Sequence, residues 1–169
     1  SIEDPITNYL PDWKNQDQDK ILLKHLLSMR SGMEDHGFVY VVPDMVSHSL
    51  DRDIIRPPGV AFRYSNEDSM LLGEIIKNAT GMSFQEYADK KVFNLIGADE
   101  TWWTDQEGNT ISYASIDMTP REFAKFGLMI AQEGNWQGQQ IVSSDWVELA
   151  TSKYDDLMSY GFQWWTSET

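Results

Sequence analysis

The most informative chemical pair in the sequence is a phenol and a carboxamide, Tyr64 and Asn66, separated by one serine. A turn at Pro58 and Gly59 leads into them, and a helical pattern follows. In an extended segment, residues i and i+2 point to the same side, so both side chains can face one pocket. A phenol can transfer protons when neighbouring cations favour its charged form, and an amide can hold a substrate carbonyl or orient a lysine. The pattern is equally consistent with a buried tyrosine that is hydrogen-bonded beside an asparagine helix cap.

Metal and cofactor chemistry have little support in the residue pattern. The histidines, His25, His36 and His48, do not have the spacing of a metal-ligand motif. Cysteine is absent, which excludes disulfides, Cys-ligated zinc, Fe–S clusters and thiol catalysis for this chain. There is also no Gly-x-Gly-x-x-Gly and no Walker loop. We therefore expect no metal and no cofactor, and we expect His25 to pack beside its leucine neighbours.

Helices must position the chemical pair. Apolar spacing predicts a helix from Leu22 to Met29, stopped by Gly32. A second helix is predicted to begin with Asn66 as its cap and to end at Gly81. Further helix boundaries are indicated by capping boxes at residues 83–86 and 119–122, a serine cap at 143 or 144, and glycines at 97 and 134.

Strand signals are few. Residues 39–42 fit a short strand or a buried loop equally well, within the irregular span 33–62. Residues 160–165 alternate and are aromatic, which favours a strand. We expect most of the seven tryptophans to be core or subdomain contacts, with an aromatic binding platform as the alternative.

Composition bounds the class of protein. The chain has 169 residues and 41% hydrophobic residues, enough for one ordinary domain or a large piece of one. Its 13 Lys and Arg against 27 Asp and Glu give a net charge of −14, so nucleic acid and anionic membrane surfaces are poor partners. The sequence contains no apolar stretch long enough to span a membrane.

Six stretches together resemble the serine β-lactamase and penicillin-binding-protein-like hydrolases, particularly the branch of class C β-lactamases, esterases and 6-aminohexanoate-dimer hydrolases. The first carries a His-Leu-Leu…Ser-Gly pattern and the second a Tyr-x-Asn motif. They occur in the family's order at residues 21–33, 58–66, 71–102, 119–127, 136–147 and 160–165. The resemblance covers nearly the whole chain.

The resemblance implies an acyl-enzyme mechanism on an amide or ester bond of a small-molecule substrate. A serine in Ser-x-x-Lys attacks, its lysine and the motif tyrosine handle protons, and a Lys-Thr-Gly or His-x-Gly strand completes the cleft. Carried over by motif, Tyr64 is the proton-transfer residue and Asn66 helps to position the substrate and the lysine. Family habit favours a periplasmic or extracellular location.

The sequence also departs from the family pattern. No serine is followed three residues later by lysine, and neither Lys-Thr-Gly nor His-x-Gly occurs. We therefore expect a mostly α protein with minor β structure: the helical subdomain of a β-lactamase/transpeptidase-like fold, with the catalytic sheet lobe largely missing. Residues 1–169 would form one partial domain that is inactive alone. The alternative is a non-catalytic binding or interaction module, and an exposed apolar face would drive self-association.

Overall fold

The computed structural model describes residues 1–11, 13, 20–34 and 39–167. Its helices are α1 (Leu23–Leu27), α2 (Met45–Leu50), α3 (Asn66–Thr80), α4 (Phe84–Ala88), α5 (Asn94–Ile96), α6 (Pro120–Ala131) and α7 (Ser144–Thr151). A π-helical turn at Asp89–Phe93 joins α4 to α5, and 3₁₀ turns occur at Ile6–Asn8 and Val39–Val41. The protein is thus mostly helical, as the sequence predicted.

The β structure of the described residues is two short antiparallel hairpins. Strand β1 (Thr101–Trp102) pairs with β2 (Ile116–Asp117), and β3 (Asn135–Trp136) pairs with β4 (Gln139–Gln140). The strand predicted at 160–165 is wrong. The chain instead folds back on itself, so that Tyr160 and Trp165 form an isolated antiparallel bridge and Gln163 has a φ of 63°.

Helix α3 is the longest helix and carries the chemical pair at its start. The hydroxyl of Ser65 accepts a 3.0 Å hydrogen bond from the backbone N–H of Asp68, so Ser65 is the N-cap. The prediction that Asn66 caps this helix is therefore wrong by one residue: Asn66 is its first helical residue. The predicted end is confirmed, because Gly81 adopts the left-handed conformation with a φ of 73°.

The other helix boundaries agree with the sequence to different degrees. The capping box of Ser83 and Glu86 is confirmed, with both reciprocal hydrogen bonds formed. Ser143 caps α7, and Gly97 closes α5 in the left-handed conformation. Helix α1 is shorter than predicted, because it ends at Leu27 and Met29 already has a φ of 59°.

The apolar cluster with the most buried members among the described residues joins the N-terminal segment to α1 and α3. Its core side chains are almost completely buried; they are Ile6, Leu10, Trp13, Ile21, Leu26, Met33, Leu71 and Ile75. Burial of apolar side chains at about 25 cal/mol per Å² makes such a cluster the main force that fixes neighbouring helices. It holds α1 beside α3 and so sets the position of the segment that enters α3.

The described part of the chain has no helix that is both long enough and apolar enough to cross a membrane.

Candidate functional site

The segment that leads to Tyr64 lies along the turn that follows α1. The backbone N–H of Gly59 donates to the carbonyl of Arg30 at 2.8 Å, and the N–H of Arg63 donates to the carbonyl of Met29 at 2.8 Å. Gly59 has a φ of 83°, and a Cβ atom there would lie 2.9 Å from Nε2 of His25. Glycine is therefore required here for close approach as well as for backbone conformation.

Tyr64 follows directly and is 46% exposed. Its ring stacks on Trp165, with ring centroids 6.0 Å apart and an interplanar angle of 16°. Trp165 also meets Tyr160 edge-on at 5.0 Å, and Tyr160 packs on Phe62 at 5.1 Å. The phenol is thus held by an aromatic cluster of Phe62, Tyr64, Tyr160 and Trp165, and still faces outward. The alternative of a buried tyrosine beside an asparagine cap does not describe this residue.

Asn66 lies two residues beyond Tyr64 and is half-buried. Ser65 has extended backbone angles, whereas Asn66 has already entered α3. The alternation that places residues i and i+2 on one face therefore stops at Ser65. Tyr64 and Asn66 therefore both lie at the start of α3. The directions of their side chains are set by the change from extended to helical backbone, not by the alternation of a strand.

Arg30 is a buried cation beside this segment that the sequence did not single out. Its side chain is 2% exposed, and it forms a 2.7 Å ion pair with Asp155. The guanidinium lies 5.9 Å from the ring centroid of Phe62 and 5.4 Å from that of Tyr154. A charge removed from water needs such a counter-ion, and the aromatic faces favour a cation further. Arg30 therefore joins the Tyr64 segment to residues 154–155.

Two buried carboxyl groups lie at the start of α3, directly after the motif. Asp68 is fully buried, and its Oδ1 accepts a 2.6 Å hydrogen bond from the hydroxyl of Ser31. Glu67 is 1% exposed; it accepts from the Ser65 hydroxyl at 3.3 Å, and its Oε1 lies 4.0 Å from Nε2 of His48. Burial raises the pKa of Asp68 to about 7, and the hydrogen bond from the Ser31 hydroxyl opposes that shift.

Neighbouring charge also acts on the aromatic cluster. Burial raises the pKa of Tyr160 strongly, and the ionised forms of the Tyr64 and Asp68 side chains add to the effect. Asp68 and Tyr64 are therefore each close enough to Tyr160 to influence it electrostatically. The alternating aromatic pattern at residues 160–165 was the sequence signal for Tyr160 and Trp165 in this cluster.

The two described histidines, His25 and His48, do not belong to a recognisable metal site. Nδ1 of His25 accepts a 3.2 Å hydrogen bond from the N–H of Leu22, and burial lowers the His25 pKa, with Lys24 adding to the effect. His36 lies outside the described residues. Within the described ranges, no group of three or more His, Asp or Glu side chains could bind a metal ion. Packing on the buried face of α1 therefore accounts for the presence of His25 at this position.

The whole length of the chain matches a known protein family: the sequence model described as Beta-lactamase matches residues 1–168. The chain belongs to the beta-lactamase family. Its curated relatives include the 6-aminohexanoate-dimer hydrolase of Paenarthrobacter ureafaciens, which is 24% identical over 95% of this chain and 50% of its own length. This chain spans about half the length of the first curated relatives that it matches.

Solved structures show the same fold. A Bacillus anthracis protein provisionally assigned as a 6-aminohexanoate-dimer hydrolase superposes with a TM-score of 0.87 at 23% identity. The match covers 98% of this chain and 52% of that one. The octameric penicillin-binding protein homologue of Pyrococcus abyssi superposes with a TM-score of 0.72 at 20% identity, over 96% of this chain and 47% of that one. The predicted β-lactamase/transpeptidase-like fold is confirmed.

Proposed function

We propose that this chain contributes Tyr64 and Asn66 to the active site of a serine hydrolase that cleaves amide or ester bonds through an acyl-enzyme. The observation that carries the proposal is the half-exposed phenol of Tyr64, held by Trp165 at the start of α3 within a beta-lactamase-family chain. An acyl-enzyme divides a difficult hydrolysis into two easier steps, and in each step a proton moves from the attacking group to the leaving group.

Tyr64 is assigned the proton transfers. In acylation its phenolic oxygen takes the proton of the attacking serine, directly or through the motif lysine, and delivers it to the leaving group. In deacylation it takes a proton from the attacking water and delivers it to the departing serine oxygen. A group in this role must reach the reacting atoms, and the 46% exposure of Tyr64 is compatible with that requirement.

Asn66 is assigned to binding. A carboxamide both donates and accepts hydrogen bonds, so it can hold a substrate amide and orient the motif lysine together. The fixed start of α3 suits this task, because the cap on Ser65 keeps the first helical turn in place.

The nucleophile is not assigned to any residue of this chain. None of its serines is followed three residues later by lysine. We therefore propose that the 169-residue chain alone forms no acyl-enzyme, since Tyr64 can move protons only for a nucleophile beside it.

The proposed substrates are small molecules with an amide or ester bond: β-lactam, peptide, ester or linear amide. The names of relatives support this class, since they include a 6-aminohexanoate-dimer hydrolase, a beta-lactamase and a penicillin-binding protein.

Turnover and covalent labelling test the proposal. The 169-residue chain and the protein encoded by the complete reading frame would each be given a chromogenic cephalosporin, a short-chain p-nitrophenyl ester and a fluorescent penicillin. We expect hydrolysis of at least one substrate, or covalent labelling, only with the complete product. Turnover by the 169-residue chain would refute its inactivity, and an inert complete product would refute a hydrolase of β-lactams or short-chain esters.

The second candidate is a non-catalytic binding or interaction module, favoured by the missing Ser-x-x-Lys motif. Large apolar side chains are exposed on several elements, including Val41, Phe123 and Leu157 at 66%, 63% and 80%. Exposed apolar surface drives association, so we propose that the 169-residue chain self-associates. A mass from light scattering that rises with concentration supports self-association and favours an excised helical lobe; a constant monomer mass favours a self-sufficient module.

A further inference from the structure

The start of α3 contains a carboxyl group that the proposed chemistry does not use. The side chain of Asp68 is fully buried, four residues after Tyr64 and two after Asn66. Its Oδ1 accepts from Ser31, but its Oδ2 is buried with no hydrogen-bond partner among the described residues. A buried carboxylate with one unpaired oxygen is costly, so its presence at this position calls for a reason beyond packing.

Asp68 connects the two backbone segments that meet at Tyr64. Its carboxyl group binds the Ser31 hydroxyl, and the same hydroxyl accepts from the N–H of Met33 at 3.2 Å. Its own backbone N–H donates to the Ser65 cap. The Ser65 N–H in turn donates to Sδ of Met29 at 3.4 Å. The turn after α1 is therefore fastened to the residues on both sides of Ser65.

We propose that Asp68 is a positioning residue, which fixes the Tyr64–Asn66 junction by binding the Ser31 turn to the first turn of α3. The catalytic meaning of this inference rests on the proposed function; the structural connection does not. Geometry supports it because a hydrogen bond between buried groups on two segments restricts both of them.

The position of Asp68 also makes the connection sensitive to pH. Its pKa of about 7 means that the buried carboxyl is partly protonated near neutral pH. The titratable groups around it are Glu67 on the same helix, His48 of α2 next to Glu67, and Tyr160 of the C-terminal segment. Ionisation of Asp68 places a negative charge near Tyr160, whose ring meets Trp165, and Trp165 in turn stacks on Tyr64.

Aromatic ¹H–¹³C NMR of the 169-residue chain from pH 5 to 9 tests the inference, with the Tyr64 signals assigned by their loss in Tyr64→Phe. We expect these signals to shift in a step centred near pH 7. Asp68→Asn, which keeps an oxygen acceptor for Ser31 but cannot ionise, should abolish that step. Glu74→Gln, which alters an exposed pair with Lys77 on the same helix, should leave it unchanged.

Two further variants test whether the NMR step is caused by Asp68 or by another titrating group. His48→Gln removes the histidine beside Glu67 and should keep the step, whereas loss of the step would assign it to His48 and overturn the inference. Ser31→Ala removes the hydrogen bond that favours the Asp68 carboxylate, so the step should move to higher pH. An unmoved step in a folded Ser31→Ala chain, or a step that persists in Asp68→Asn, also overturns it.

Catalysis gives a second readout in the protein encoded by the complete reading frame. Misplacing a reacting group by about 1 Å can cost on the order of 100-fold in rate, so Ser31→Ala should lower kcat by roughly tenfold or more with KM little changed. An unchanged kcat would contradict the positioning role. The NMR test requires no activity, so its result remains valid if the hydrolase proposal fails. Conversely, the NMR step can be missing while Tyr64→Phe still abolishes hydrolysis.

Discussion

The guanidinium of Arg30 and the carboxylate of Asp155 form a 2.7 Å ion pair between the turn after α1 and the C-terminal segment. Arg30 is 2% exposed and Asp155 is 32% exposed, so the pair lies at the edge of the interior. Because Arg30 also contacts the ring of Phe62, the pair helps to hold the segment that carries Tyr64.

Removal of the Asp155 charge should destabilise the protein. Asp155→Asn leaves the buried Arg30 cation without its counter-ion, and we expect the free energy of unfolding to fall by about 1 to 3 kcal/mol. Asp156→Asn removes a carboxylate from an exposed neighbouring position and serves as the matched control. Urea denaturation measures both. Equal stabilities of the two variants would contradict a stabilising role for the pair.

A methyl group at Gly32 should be far more harmful than one at Gly108. The two residues have φ angles of 81° and 83°, so alanine is strained at both, by roughly 1 to 2 kcal/mol. At Gly32 the added Cβ would also lie against the backbone carbonyl oxygen of Arg56, whereas at Gly108 it meets nothing within 4 Å. Gly32→Ala should therefore cost about 1 to 3 kcal/mol more than Gly108→Ala in thermal or urea unfolding. Equal losses would show that the close approach to Arg56 carries no cost.

The pKa of Asp68 predicts a particular pH dependence of stability. Its folded-state pKa of about 7 lies above the ordinary 3.8, so between pH 4 and 7 the folded state binds more protons than the unfolded state. The contribution of Asp68 to the free energy of unfolding is fully present below about pH 4 and is lost as the pH rises through about 7.

Comparison of the wild type with Asp68→Asn separates the pH-dependent stability due to Asp68 from that due to other groups. One such group is Glu100, whose pKa is also raised to about 7, mainly by burial. The free energy of unfolding of the wild type, minus that of the variant, should decrease by on the order of a few kcal/mol from pH 4 to pH 7 and then level off. A difference that is constant with pH would show that Asp68 ionises normally in the folded protein.

The sequence predicted those features that depend on local chemistry. The ends of α3 and α5 follow from Gly81 and Gly97, which adopt left-handed conformations at no steric cost. The cap of α3 was misplaced because serine and asparagine cap helices about equally well, so neighbouring Ser65 and Asn66 cannot be ranked by propensity.

Features that depend on distant partners were not predictable. Burial of Arg30 and Asp68 is tolerated because of Asp155 and Ser31, which lie on other segments. The strand expected at residues 160–165 fails because Gln163 reverses the chain with a positive φ, and no glycine marks that position. Tyr64 and Asn66 were identified by their motif, and their catalytic roles stay predictions.

The most direct test of the proposed role of Tyr64 is the hydrolysis rate of Tyr64→Phe in the protein encoded by the complete reading frame. The control is Tyr40→Phe, which removes a phenolic hydroxyl from another exposed tyrosine, 59% accessible. Loss of a proton-transfer group should lower kcat/KM by about 100-fold or more, with the control at the wild-type rate. A Tyr64→Phe enzyme as fast as wild type would contradict the proposed role of Tyr64.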